Sequence, residues 1–129
     1  MLLLDTHTFI WLASQRELLS DRVLELIEND FSGLFISSIT AVEVGLLSRA
    51  GRINTYGSCE KFMQNNLKQL GIHEVPVDVE IGTASTQLPP IHSDPFDRIL
   101  IATAQKHKMT ILTKDRMIPT YPKVKAVWE

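Results

Sequence analysis

Most of what would tie this chain to a membrane, a disulfide framework or a soft-metal site is missing. No apolar run approaches the roughly 18 residues needed to span a bilayer, so no membrane partner is expected. The opening Met1-Leu2-Leu3-Leu4 has no basic segment before it and reads as a strand, not as a signal peptide. A single cysteine, Cys59, excludes an internal disulfide and suits a reducing cytoplasm. His7, His73, His92 and His107 make no His-Glu-x-x-His pattern and have no paired cysteines to help them, which argues against zinc. There is no Gly-x-Ser-x-Gly elbow, no Walker phosphate loop and no Gly-x-Gly-x-x-Gly turn. Repeats, linkers and low-complexity stretches are absent too, so one domain over residues 1–129 is expected.

What is present is an ordinary globular composition, 44% hydrophobic and 22% charged over 129 residues, enough to bury a real core. The net charge of −2 conceals an asymmetry: residues 1–97 carry −7 and residues 98–128 carry +6. A basic C-terminal third beside an acidic region suits a ligand with a phosphate backbone, although a solvated lysine-rich face has the same composition.

Short apolar runs alternate with helical periodicity, the pattern of βαβ units and a mainly parallel α/β sheet. Strands are predicted at Leu2–Leu4, Leu34–Ser37, Glu74–Val77, Thr110–Thr113 and Lys125–Val127. A first helix begins near Thr6 and carries Phe9 and Trp11, both read as core or interface residues. Ser20 caps a second, which Asn29 and Asp30 break. Thr40 with Glu43 three residues on has the spacing of a capping box, and that helix stops near Gly51. Ser58 and Gly71 bracket another, and a shorter one spans Val79–Thr86. After the loop Leu88-Pro89-Pro90-Ile91-His92-Ser93, Asp94 caps a helix with Pro95 at its first position.

Four acids stand out against this frame. Asp5 ends the first strand, Asp115 follows the fourth, and Glu43 and Asp97 lie in the opening turns of helices. In an open parallel sheet those places meet at the carboxyl edge of the strands. Singly, each acid has a plain structural role as a cap, a dipole partner or a turn residue. Together they would repel, since two carboxylates about 5 Å apart cost roughly 3 kcal/mol at an effective dielectric near 20. A converged quartet therefore needs protons or a cation, and an all-oxygen ligand set selects Mg²⁺ or Mn²⁺. Thr6 and Thr113 flank Asp5 and Asp115 and can orient them or bind a phosphate oxygen. A rival reading makes Asp5 a phosphoryl-accepting nucleophile, because Asp5-Thr6-His7-Thr8 is similar to the Asp-x-Asp-x-Thr signature of haloacid-dehalogenase phosphatases. His7, however, replaces the second aspartate. Another rival is a phospho-receiver domain, whose adjacent acids and third-strand aspartate are lacking.

The chain resembles the PIN-domain ribonucleases of the VapC toxin type. The matching stretches are Leu4-Asp5-Thr6-His7, Ser37-Ser38-Ile39-Thr40-Ala41-Val42-Glu43 and Leu112-Thr113-Lys114-Asp115. The most distinctive is Ile91-His92-Ser93-Asp94-Pro95-Phe96-Asp97-Arg98. The resemblance implies a doubly wound parallel five-strand sheet flanked by helices, and Mg²⁺- or Mn²⁺-dependent cleavage of RNA. It makes Asp5 and Asp97 the main metal ligands, with Glu43 and Asp115 completing the cluster. Asp94 becomes a supporting acid or helix cap, and Arg98 a contact to phosphate or to a neighbouring acid. A homodimer and a cognate antitoxin are further implied, with DNA bound only through the antitoxin. The alternative is a non-catalytic module that keeps the fold and binds RNA or protein.

Overall fold

The computed structural model describes residues 1–129. Five strands, β1 (Leu2–Leu4), β2 (Leu34–Ser37), β3 (Ile72–Val75), β4 (Thr110–Leu112) and β5 (Lys125–Val127), form one sheet in the order β3-β2-β1-β4-β5. Every pairing is parallel, with Leu3 opposite both Phe35 and Ile111. The chain works outward from β1 to β3, then returns to the other side of β1, so the order reverses between β1 and β4. That reversal opens a crevice at the carboxyl edge of the sheet.

Six helices cover the two faces: α1 (Thr6–Ser14), α2 (Asp21–Asn29), α3 (Ile39–Arg49), α4 (Cys59–Leu70), α5 (Val79–Gln87) and α6 (Pro95–His107). Alternation along β1 divides the core. Leu2 and Leu4 join Phe9, Val23, Ile36, Val44, Met63 and Leu112 on the face covered by α1 to α4. Leu3 faces the other way, against Leu100, Ile101 and Ile111 beneath α6. A central strand must be apolar on both faces, which is why β1 is an unbroken leucine run.

Helix boundaries follow local chemistry. Ser20 and Ser58 accept hydrogen bonds from the amides of Val23 and Lys61 at the starts of α2 and α4. Gly71 closes α4 at φ 64°, a left-handed conformation that releases the chain directly into β3.

Two expectations are corrected. β3 runs from Ile72 to Val75, not Glu74–Val77. The tight turn at Gly71 starts it early, and Pro76, with no amide to donate, ends it. The capping box at Thr40 does not form: α3 starts at Ile39, so Thr40 lies inside the helix, buried and without a hydroxyl partner. The first amide, of Ile39, is met by Ser37 Oγ instead, which frees Glu43 for another partner.

Phe9 is fully buried between β1 and α4, edge-on to Phe62 at 6.4 Å. Phe9→Ala is expected to lower unfolding stability by about 3–5 kcal/mol, measured as a shift of the urea midpoint at unchanged slope.

Candidate metal centre

Asp5 is the first residue past β1, and its amide bonds to Leu112 O at the end of β4, bringing the two strand ends together. One carboxylate oxygen caps α1 by accepting from Thr8 N at 2.9 Å. The other accepts from Thr113 Oγ1 at 2.5 Å. Glu43, one turn into α3, accepts from Thr6 Oγ1 at 2.5 Å. The two threonines beside the acids thus hold carboxylates, each the one belonging to a different element.

Asp97 lies in the first turn of α6 and Asp115 follows β4. Between them stands His92, whose Nε2 is 3.0 Å from Asp97 Oδ2 and 2.9 Å from Asp115 Oδ2. These three ligand atoms all lie within 4.8 Å of one another. Asp94 caps α6 by accepting from Phe96 N, and its own amide donates to His92 Nδ1. With Nδ1 accepting, the neutral ring carries its proton on Nε2, aimed at the two carboxylates. All four acids of the quartet, together with Asp94, line one open cleft of about 370 Å³, shared with Thr6, His7, Trp11 and Lys114.

The carboxylates are not equivalent. Burial raises the Asp97 carboxyl to about 7, reinforced by the charges of Asp94, Asp115 and Asp5 and only partly offset by His92. Burial also works against the Asp115 carboxylate, yet its pKa is lowered, because it accepts from His92 and from the amides of Met117 and Ile118. One imidazole proton cannot serve two carboxylates fully, and Asp97 has no backbone donor of its own. For His92, burial opposes the charged form, but the hydrogen bond to Asp115 and the charges of Asp97, Asp115 and Asp94 outweigh it and raise its pKa. Excess negative charge in an oxygen-rich cleft fits a hard divalent cation.

Sequence reasoning missed His92, since it searched for histidines in zinc patterns. The available signal was its position two residues before the Asp94 cap, hence beside the helix start that carries Asp97. Arg98 corrects an expectation, for it reaches no carboxylate. Its guanidinium donates to the carbonyls of Ser85, Leu88, Pro89 and His92, and to Tyr121 Oη at 3.4 Å. Tyr121 Oη accepts from His92 N, so Arg98 ties down the loop that presents the imidazole. Trp11, expected in the core or at an interface, is half-buried: it packs against the core of the α1–α4 face and also lines the cleft.

In an open parallel α/β sheet the ligand crevice lies at the topological switch point, and here that crevice is lined by acids. The profile of the PIN domain matches residues 2–124, and the chain belongs to that family. It is 29% identical over 131 residues to Ribonuclease VapC22 of Mycobacterium tuberculosis, covering 98% of this chain and 97% of the relative. Among solved structures it is similar to a chain of DNA-bound VapBC from Salmonella typhimurium, with a TM-score of 0.69 at 18% identity, covering 98% of this chain and 96% of the other. A chain of FitAcB from Neisseria gonorrhoeae gives a TM-score of 0.66 at 22% identity, with the same coverage of each.

Asp97 keeps a proton in the folded protein up to about pH 7 that the unfolded chain releases near 3.8, so rising pH between those values removes stability. His92 adds stability that is full below 6.5 and is lost as pH rises through its raised value. Asp115 acts oppositely, and only as pH falls below 3.8. In EDTA the melting temperature is therefore expected to fall as pH rises from about 4 to about 7, and Asp97→Asn should flatten that decline. Calorimetric scans across the range check it.

Proposed function

We propose that the protein is a divalent-metal-dependent endoribonuclease that hydrolyses RNA phosphodiester bonds and serves as the toxin of a VapBC-type toxin–antitoxin pair. The observation carrying this reading is the cleft lined by Asp5, Glu43, Asp97 and Asp115, with Asp97 raised to about 7. Support comes also from the relative named as a ribonuclease and from structural neighbours that are toxin–antitoxin complexes. Asp5 and Asp97 would be the main ligands of Mg²⁺ or Mn²⁺, with Glu43 and Asp115 completing the set. A bound ion there would lower the pKa of an attacking water and stabilise negative charge on the scissile phosphate.

The chain's own residues prepare that chemistry. Thr113 and the Thr8 amide hold both oxygens of Asp5, and Thr6 holds Glu43, so two carboxylates are oriented before any ligand arrives. His92 keeps Asp97 and Asp115 together despite their repulsion. Asp94 stays a cap and supporting acid. A homodimer and a cognate antitoxin are part of the same reading, with DNA reached only through the antitoxin. Val42 and Leu46, about half exposed on α3, leave apolar surface for a protein partner. No helix is long and apolar enough to cross a membrane.

Asp97→Asn keeps the shape of the side chain and removes its charge. It is expected to lower Mg²⁺-dependent RNA cleavage by about 10²–10³-fold, the loss typical of removing one electrostatic element of a site, while leaving the circular dichroism spectrum intact. Wild-type-like cleavage by this variant would refute the site.

A further inference from the structure

The acidic cleft does not stand alone. A second cavity of about 320 Å³ opens beside it, and Lys114 and Asp115 line both, so this dipeptide is the wall between them. Arg116, Val127 and Trp128 line the far side. The Trp128 ring meets Trp11 edge to face, with centroids 5.8 Å apart at 62°. Trp11 in turn lines the acidic cleft and lies 5.8 Å from His7. An aromatic row therefore runs from the carboxylates to the neighbouring cavity.

Trp128 is held in place. Its carbonyl accepts from Ser20 Oγ, and the preceding Val127 is paired with Leu112 in β5. The ring packs partly against the core of the α1–α4 face and leaves the rest to the cavity. Lys114 and Arg116 are exposed and enter none of the ion pairs, all of which belong to His92 or Lys106. Asp115, between them in sequence, makes no ion pair with either; its oxygens accept from His92 and from the amides of Met117 and Ile118. The lining also carries two acids, Asp115 and Glu129, so Lys114 and Arg116 act as two individual unpaired cations and not as a basic patch.

Resting on the ribonuclease reading, the geometry points to this cavity as the subsite for the nucleotide adjoining the scissile phosphate of single-stranded RNA. The base lies against the open part of Trp128, and Lys114 and Arg116 take the phosphate. Unpaired bases can be splayed onto an aromatic ring, whereas bases in a duplex have both faces covered by neighbours. The volume sits at the low end of the about 300–1,000 Å³ of small-ligand sites, room for one nucleotide and not for a paired helix. Because every base has a π-face, this subsite sets strandedness and register, not sequence.

The test uses the full chain carrying Asp97→Asn, in Mg²⁺, with a short fluorescein-labelled single-stranded oligoribonucleotide followed by anisotropy over a salt series. Adding Trp128→Ala is expected to weaken binding about tenfold, and Trp128→Phe to keep most of it. Lys114→Gln and Arg116→Gln should each reduce the slope of log K against log salt by about 0.7. Base-paired RNA of the same sequence should show no dependence on Trp128. If Trp128→Ala melts the fold, the phenylalanine variant and the two charge variants carry the test. A folded Trp128→Ala that binds like its parent, or unchanged salt slopes, overturns the subsite. If the chain with Asp97 intact still cleaves RNA in Mg²⁺, the subsite alone has failed. Absence of both metal-dependent cleavage and RNA binding removes the ribonuclease reading and the subsite with it.

Discussion

Carboxylates that share one cleft repel one another, and the local structure around β1 and β4 answers that repulsion. Asp5 is held by a hydroxyl and a helix amide, Glu43 by a second hydroxyl, and Asp115 by two amides and an imidazole. Asp97 is left with only its share of the His92 proton, and it is the acid whose pKa climbs. Burial, reinforced by the residual repulsion, acts on the one group without its own donors. A site so arranged is a folded-state liability, as expected when function takes precedence over stability.

The loop between α5 and α6 shows how such a liability is contained. His92 could not hold its place on a free loop, because the loop's carbonyls would need water and the imidazole would lose its fixed aim. Arg98 gathers three of those carbonyls, and a fourth from Ser85 in α5, with one planar cation, and Tyr121 receives the His92 amide. A lysine at this position would supply a point charge without the fork of donors that spans several acceptors. Lys106 is occupied in a different way, by Asp78 and Glu80. The basic C-terminal third is therefore not one patch: part of it binds the chain to itself, and Lys114 and Arg116 remain beside the cleft.

Much of the architecture was legible because local rules and tertiary demands agreed. Leucines on both faces of β1 announce a central strand, Ser20, Ser58 and Asp94 announce helix starts, and Gly71 announces a helix end. The misreadings fall where two local rules compete. Thr40 and Glu43 have capping-box spacing, but Ser37 already serves the first amide, so Glu43 turns toward Thr6 on another helix. In the Glu74–Val77 stretch β-branched residues favoured a strand while Pro76 forbade its continuation, and the proline prevailed.

The linear order of residues determined that acids would fall at strand ends and helix starts, since periodicity and capping are local properties that neighbours in sequence decide. It also determined a parallel sheet, because alternating strands and helices can close in few other ways. Folding alone decided which groups meet. The threonine holding Asp5 comes from the far side of the chain, an imidazole given no role in the sequence reading stands between Asp97 and Asp115, and Arg98 binds carbonyls and no neighbouring acid. Those choices depend on distances between elements far apart in sequence, and the packing of helices on a twisted sheet is what sets them.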